Sequence, residues 1–267
     1  MPAVVAEGLD ADMERVELDG IPVEYELVGD RDPVVLPHAL PFVSWYGPLA
    51  AALDRAVLRY RRPVPRDRSW SIVDDAVLAA RLLAHVGIER PDVVGHSYGG
   101  LVALELARTH GVHPRSVALL EPATVGLLPP AEAAGRMGAL VEAGRSDARA
   151  AMGTFLHAVC GPDSAAELDR LVPGALDEAM AGADGFFAVE LPAAIGWSFA
   201  PGDVPADLPV LTVRGTESAP RSVEGAEIVR SWFPGSGTQV LKGASHLLIA
   251  EQPAEIAERL REFWSGR

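Results

Sequence analysis

The sequence predicts one α/β domain: a mostly parallel sheet flanked by helices, with a helical segment inserted late in the strand order. Three observations carry this. Short apolar runs alternate with amphipathic stretches along most of the 267 residues. One stretch, from 122 to about 205, has helical patterning alone, and its length of about 80 residues is too great for a loop. A G-x-S-x-G pentapeptide, Gly95-His96-Ser97-Tyr98-Gly99, stands where an apolar run meets a helix-forming one.

The elements follow in order. Two strands, Glu14 to Leu18 and Val23 to Val28, flank Asp19-Gly20, a hairpin signal. "PVVLPHAL" is a short buried strand ending at His38, followed by a helix around 47 to 53 and a strand from Ala56 to Tyr60. "RRPVPRDRS" is a loop, and Ser69 is placed to cap a helix from about Ser71 to Val86. "PDVVGHS" and "RSVALLEP" are strands on either side of the helix "YGGLVALELART". Helical patterns then run Pro130 to Ala143, Asp147 to Val159, Ser164 to Leu171, Ala175 to Ala181 and Gly185 to Ile195. The chain closes with a strand (Pro209 to Arg214), a helix (Arg221 to Trp232), a strand (Thr238 to Lys242) and a helix (Glu251 to Trp264). No internal repeat or low-complexity tract interrupts this order.

Composition narrows the function. At 49% hydrophobic residues the chain can bury a large core. A net charge of −14 disfavours nucleic acid and anionic membrane surfaces as partners. No apolar run approaches the roughly 20 residues of a membrane helix. Cys160 is the single cysteine, so no intrachain disulfide forms, and the N-terminal residues lack a secretory pattern. Both point to the cytoplasm. His110 and His113 sit at a helix end and turn, and no metal site is predicted.

Ser97 is the candidate nucleophile. A tight strand-to-helix turn strains the serine and pushes its Oγ out at the carboxyl edge of the sheet, where open α/β sheets bind ligands. The helix beginning at Tyr98 directs backbone N–H groups and positive dipole toward a developing oxyanion.

The "GHSYGG" turn, the early hairpin, the "VVLPH" strand end, the helical insertion and the C-terminal "GASHLLIAEQPAEIAERLREFW" together resemble the α/β-hydrolase family over nearly the whole chain. The resemblance implies a core of residues 1–121 and 206–267 and a helical cap of 122–205 between strands 6 and 7. It implies the chain order nucleophile, acid, histidine. His246, in the loop after the last strand, becomes the base, a role that suits an imidazole titrating near neutrality. The oxyanion donors become the backbone amides of Tyr98 and Leu40. The family's His-Gly is His38-Ala39 here, and His38 is read as a support for that loop.

The acid has two candidates. The family commonly carries it as Gly-x-x-Asp after strand 7, and here Ser218 occupies the aspartate position, with Glu217 one residue early. Other members carry it after strand 6, where Glu121 ends an apolar run. Glu121 is the first choice, because a carboxylate closing a buried strand needs a partner such as His246. Glu217 is the alternative. The cap is rich in Phe155, Phe186, Phe187, Trp197 and Phe199, and Phe155, Trp197 and His157 are proposed to line the substrate pocket.

The resulting expectation is a cofactor-free serine hydrolase that cleaves an ester, thioester or lactone of a hydrophobic small molecule through an acyl-enzyme. A serine at the turn argues against the dehalogenase and epoxide-hydrolase branches, which use a carboxylate nucleophile. The alternatives are a biosynthetic cyclase, lyase or acyltransferase, cofactor-free oxygen chemistry, or a non-catalytic ligand-binding protein. The oligomeric state is left open.

Overall fold

The computed structural model describes residues 13–39, 42–61, 69–108 and 110–266. Eight strands form one sheet: β1 (Glu14–Leu18), β2 (Ile21–Val28), β3 (Val34–Val35), β4 (Val57–Arg61), β5 (Asp92–His96), β6 (Ser116–Leu120), β7 (Val210–Gly215) and β8 (Gly237–Leu241). Their order is β1-β2-β4-β3-β5-β6-β7-β8. β2 pairs antiparallel with both β1 and β4, and every pairing from β4 through β8 is parallel. The hairpin turn Asp19-Gly20 holds both residues at positive φ (50° and 79°), which matches the twist of the strands it joins.

β5 and β6 are buried along their full length, as their apolar runs require in a sheet covered on both faces. The strand order reverses between β3 and β5. That reversal opens a crevice at the carboxyl ends of these two strands.

Helices α1 (Gly47–Ala52), α2 (Ile72–His85) and α3 (Tyr98–Leu106) accompany the first six strands. Ser71, not Ser69, caps α2. Its hydroxyl accepts from the Asp74 amide while the Asp74 carboxylate accepts from the Ser71 amide. The spacing of a serine three residues before an acid was the better guide, because both helix-end donors are then satisfied together. The "RRPVPRDRS" loop lies largely outside the described residues.

Between β6 and β7 the described chain is helical: α4 (Thr124–Leu127), α5 (Pro130–Ser146), α6 (Ala148–Cys160), α7 (Ser164–Leu171), α8 (Ala175–Ala181), α9 (Ala183–Gly185) and α10 (Leu191–Gly196). A π-helical turn, Phe186–Glu190, joins α9 to α10, where the sequence pattern predicts one continuous helix. Leu191 precedes Pro192, whose missing N–H favours a break there. After β7 come α11 (Pro220–Trp232), α12 (Leu248–Glu251) and α13 (Pro253–Ser265). The C-terminal helix predicted from Glu251 to Trp264 starts at Pro253, and a separate short α12 ends at Glu251, with Pro253 in the first turn of α13. Among the described residues no helix is long and apolar enough to cross a membrane.

Candidate active site

Ser97 follows β5 directly and has φ 52° and ψ −120°, a conformation that L-residues rarely adopt. Such backbone costs about 1–3 kcal/mol and persists only when its surroundings dictate it. Here they do. The Ser97 amide donates to the Leu120 carbonyl at 3.1 Å, and the Ser97 carbonyl accepts from Gly100 and Ala123. The flanking glycines have no room for a side chain. A Cβ on Gly95 would lie 2.2 Å from the Gly99 carbonyl oxygen, and one on Gly99 would lie 2.0 Å from that of Pro37. These two contacts let α3 turn back hard against β5 and the loop after β3.

Tyr98 opens α3, so its backbone N–H lies outside the helix's own ladder and faces the region of Ser97. Its side chain is anchored elsewhere: the Tyr98 hydroxyl donates to Asp75 at 2.6 Å, and Asp75 also accepts from the Trp70 indole at 2.7 Å. Leu40 lies outside the described residues. His38 is buried, with Nδ1 3.0 Å from the Ala39 carbonyl oxygen and Nε2 against that of Tyr60.

His246 lies in the loop after β8. Its Nδ1 meets Glu121 Oε2 at 2.7 Å. Glu121 is buried and stands at φ 45°, so the strand end that carries it is strained like that of Ser97. Its other oxygen accepts from the Gly215 amide (2.8 Å) and the Ser218 hydroxyl (2.5 Å). Hydrogen bonds to a charged group are worth about 1.5–3 kcal/mol each, so this nest offsets much of the cost of burying the carboxylate. Glu217 is exposed. Among the described residues its carboxylate accepts only from the Thr216 hydroxyl, and its backbone N–H donates to the Ala244 carbonyl at 2.9 Å.

Sequence reasoning missed the groups that hold the histidine loop. His96 Nε2 donates to the His246 carbonyl at 2.9 Å, and the two rings lie 4.6 Å apart. Burial, with His246 beside it, pushes His96 well below the ordinary histidine range, so it stays neutral. The Tyr46 hydroxyl accepts from the His96 amide (2.6 Å) and donates to the Pro37 carbonyl (2.9 Å). On the far side, Glu251 accepts from both the amide and the hydroxyl of Ser245, each at 2.7 Å. The serine before His246 and the acid six residues on were visible in the sequence, but no local pattern marks them as a clamp.

Ser97, His246 and Glu121 line one cavity of about 90 Å³. The helical insertion supplies most of its apolar wall, including Met137, Phe155, Val159, Phe186 and Leu191. Two predicted pocket residues are elsewhere. His157 is exposed: Phe155 and Val159, four apart on α6, face the cavity, and a residue between them points to the opposite side. Trp197 is buried, but its indole donates to Glu105 at 2.9 Å, near the end of α3 and outside the cavity wall.

The fold resembles several solved structures. A thermophilic esterase from Thermogutta terrifontis superposes with a TM-score of 0.79 at 20% identity, covering 96% of this chain and 99% of that one. An enol-lactonase from Burkholderia xenovorans LB400 gives 0.78 at 19%, covering 94% and 100%. A bromoperoxidase from Bacillus anthracis gives 0.73 at 21%, covering 95% and 99%. At these identities the likeness establishes the fold alone. The sequence itself matches the model of the alpha/beta hydrolase family over residues 34–259, from β3 to within α13. With that match spanning the strained serine turn and the histidine loop, the chain belongs to the alpha/beta hydrolase family.

Proposed function

We propose that the protein is a serine hydrolase of carboxylic esters or lactones, with Ser97 as nucleophile, His246 as general base and Glu121 as the acid. The observation that carries this reading is the 2.7 Å contact between His246 Nδ1 and Glu121 Oε2 beside a strained serine on the same cavity. With Nδ1–H donated to Glu121, Nε2 is the nitrogen left to take the Ser97 proton.

Ser97 Oγ attacks the acyl carbonyl and passes its proton to His246. The tetrahedral oxyanion accepts from the Tyr98 amide and, by the family resemblance, from that of Leu40. Collapse expels the alcohol, which leaves with the proton from His246. Water, deprotonated by His246, then attacks the acyl-enzyme, and the second collapse releases the acid and restores Ser97. Glu121 stays ionised throughout and stabilises the imidazolium.

Residues 122–205 act as a cap that supplies most of the apolar wall. A predominantly apolar cavity of this size favours a small hydrophobic acyl or alcohol group. The esterase and enol-lactonase names among the similar structures are in keeping with ester or lactone cleavage.

The test is reaction with a fluorophosphonate probe and turnover of a p-nitrophenyl ester panel, comparing the protein with Ser97→Ala. Covalent labelling and turnover that both vanish in the variant are expected. Absence of labelling at Ser97 sinks the proposal. Labelling without ester turnover redirects it to a transferase, cyclase or lyase with a dedicated substrate.

A further inference from the structure

The cavity has one polar corner that the hydrolytic machinery does not use. Arg221 and Ser222, the second and third residues of α11, line it together with the apolar residues of the insertion. Their position near Ser97 is fixed through α4. The Thr124 hydroxyl donates to the Arg221 carbonyl at 2.7 Å, and a Cβ on Gly100, three residues past Ser97, would lie 2.9 Å from that of Pro122.

Arg221 is half-buried, and its guanidinium donates to the Ala158 carbonyl of α6. No carboxylate among the described residues pairs with it. Many other arginines find carboxylates, as in Arg59–Glu26, Arg108–Glu105 and Arg136–Glu224, whereas Arg149 and Arg214, like Arg221, rest on carbonyls but do not line this cavity. With one nitrogen on a neutral carbonyl, the remaining N–H groups of the guanidinium are available to an anionic acceptor in the cavity.

Ser222 gives a second, independent sign. It is only 7% exposed, and its hydroxyl has no hydrogen-bond partner among the described residues. Buried hydroxyls are usually satisfied, and one without a protein partner on a cavity wall is available to donate to a bound acceptor. The N-terminus of the 13-residue α11 adds positive dipole at the same corner.

We propose that Arg221 and Ser222 form a carboxylate subsite, so that the ester or lactone cleaved at Ser97 carries a second, unreacting carboxylate. This rests on the hydrolase reading for the bond that breaks, but not for the binding itself. A planar guanidinium with one nitrogen committed to Ala158 matches a carboxylate. A single cation in a small cavity fits one negative charge better than a phosphate dianion. The Glu121 carboxylate on the same cavity is held by His246, Ser218 and Gly215, so it does not compete for Arg221.

The experiment measures binding of monomethyl glutarate and dimethyl glutarate to Ser97→Ala by calorimetry, which needs no turnover. The monoanion is expected to bind about tenfold more tightly than the neutral diester. Arg221→Gln should erase that difference, Arg221→Lys should keep part of it, and Ser222→Ala should reduce it about threefold. Equal or tighter binding of the diester, or no heat from either ligand at millimolar concentration, overturns the subsite without relying on any Arg221 variant folding. Fluorophosphonate labelling of the unsubstituted protein is read separately. A charge preference without labelling keeps the subsite and removes the hydrolase reading, whereas labelling without a charge preference does the reverse.

Discussion

β6 and β7 lie side by side and parallel, and each delivers a glutamate just past its carboxyl end: Glu121 after Leu120, and Glu217 two residues beyond Gly215. The two carboxylates are a few ångströms of backbone apart in origin and have opposite environments. Glu121 is buried, strained at φ 45°, and surrounded by an amide, a hydroxyl and an imidazole. Glu217 points to solvent, and only its backbone touches the histidine loop. The difference lies in which strand end points at the cavity. β6 is central and its end faces His246, whereas the β7 loop turns outward after Gly215 and zips the 242–244 segment through Thr216 and Glu217.

Ser218 gives the comparison its lesson. At the position where the family commonly has the acid, it donates a hydrogen bond to the acid from the neighbouring strand. The β7 loop therefore still serves the carboxylate, as donor in place of bearer. The proposed acid and the donor that stabilises it come from two adjacent strand ends, β6 and β7, and exchanging their roles is a two-residue change.

Four experiments probe that contrast. Glu121→Gln should lower kcat by about 10³- to 10⁴-fold with little change in KM, because an amide can hold the wrong imidazole tautomer and cannot stabilise the cation. Steady-state kinetics on a p-nitrophenyl ester decides it, and a loss under tenfold would move the acid elsewhere. Next, Ser218→Asp introduced into Glu121→Ser should recover on the order of 10- to 100-fold of the lost kcat, since the carboxylate then leaves from the other strand. No recovery would mean that the β7 end cannot reach His246. Ser218→Ala alone removes one donor from the nest and should cost about three- to tenfold in kcat. Glu217→Gln should change kcat/KM by less than about twofold, as expected of an exposed carboxylate with no ionic partner in the site. An effect on the scale of Glu121→Gln would reverse the assignment.

Much of this was legible along the chain. The hairpin was visible because Asp-Gly supplies the positive φ that a tight turn needs. The serine turn was visible because Gly95 and Gly99 are the only residue type that fits within about 2 Å of a neighbouring carbonyl. Glu121 stood out because an ionisable residue at the end of a buried run must have a partner. The cavity wall was less legible. Phe155 faces it, while His157 and Trp197, nearby in sequence and chemically plausible, face solvent and Glu105. On a helix, two positions separate a lining residue from an outward one, and which stripe faces inward depends on what packs beneath it.

The clamp on the His246 loop was not legible, because His96 reaches the His246 carbonyl across 150 positions and Tyr46 braces His96 across 50, while no local pattern marks the nearby Ser245–Glu251 pair as part of it. The order of strands and helices, the sharp turn at Ser97 and the presence of a histidine loop at the chain's end follow from local backbone preference and apolar periodicity, which act within a few residues. The contact of Glu121 rather than Glu217 with His246, the donation from Ser218 to Glu121 and the placing of Arg221 and Ser222 on the wall of the Ser97 cavity depend on distances between segments far apart in sequence. Hydrogen bonding and ion pairing act over about 3 Å, so only the packed sheet and its helices could decide them.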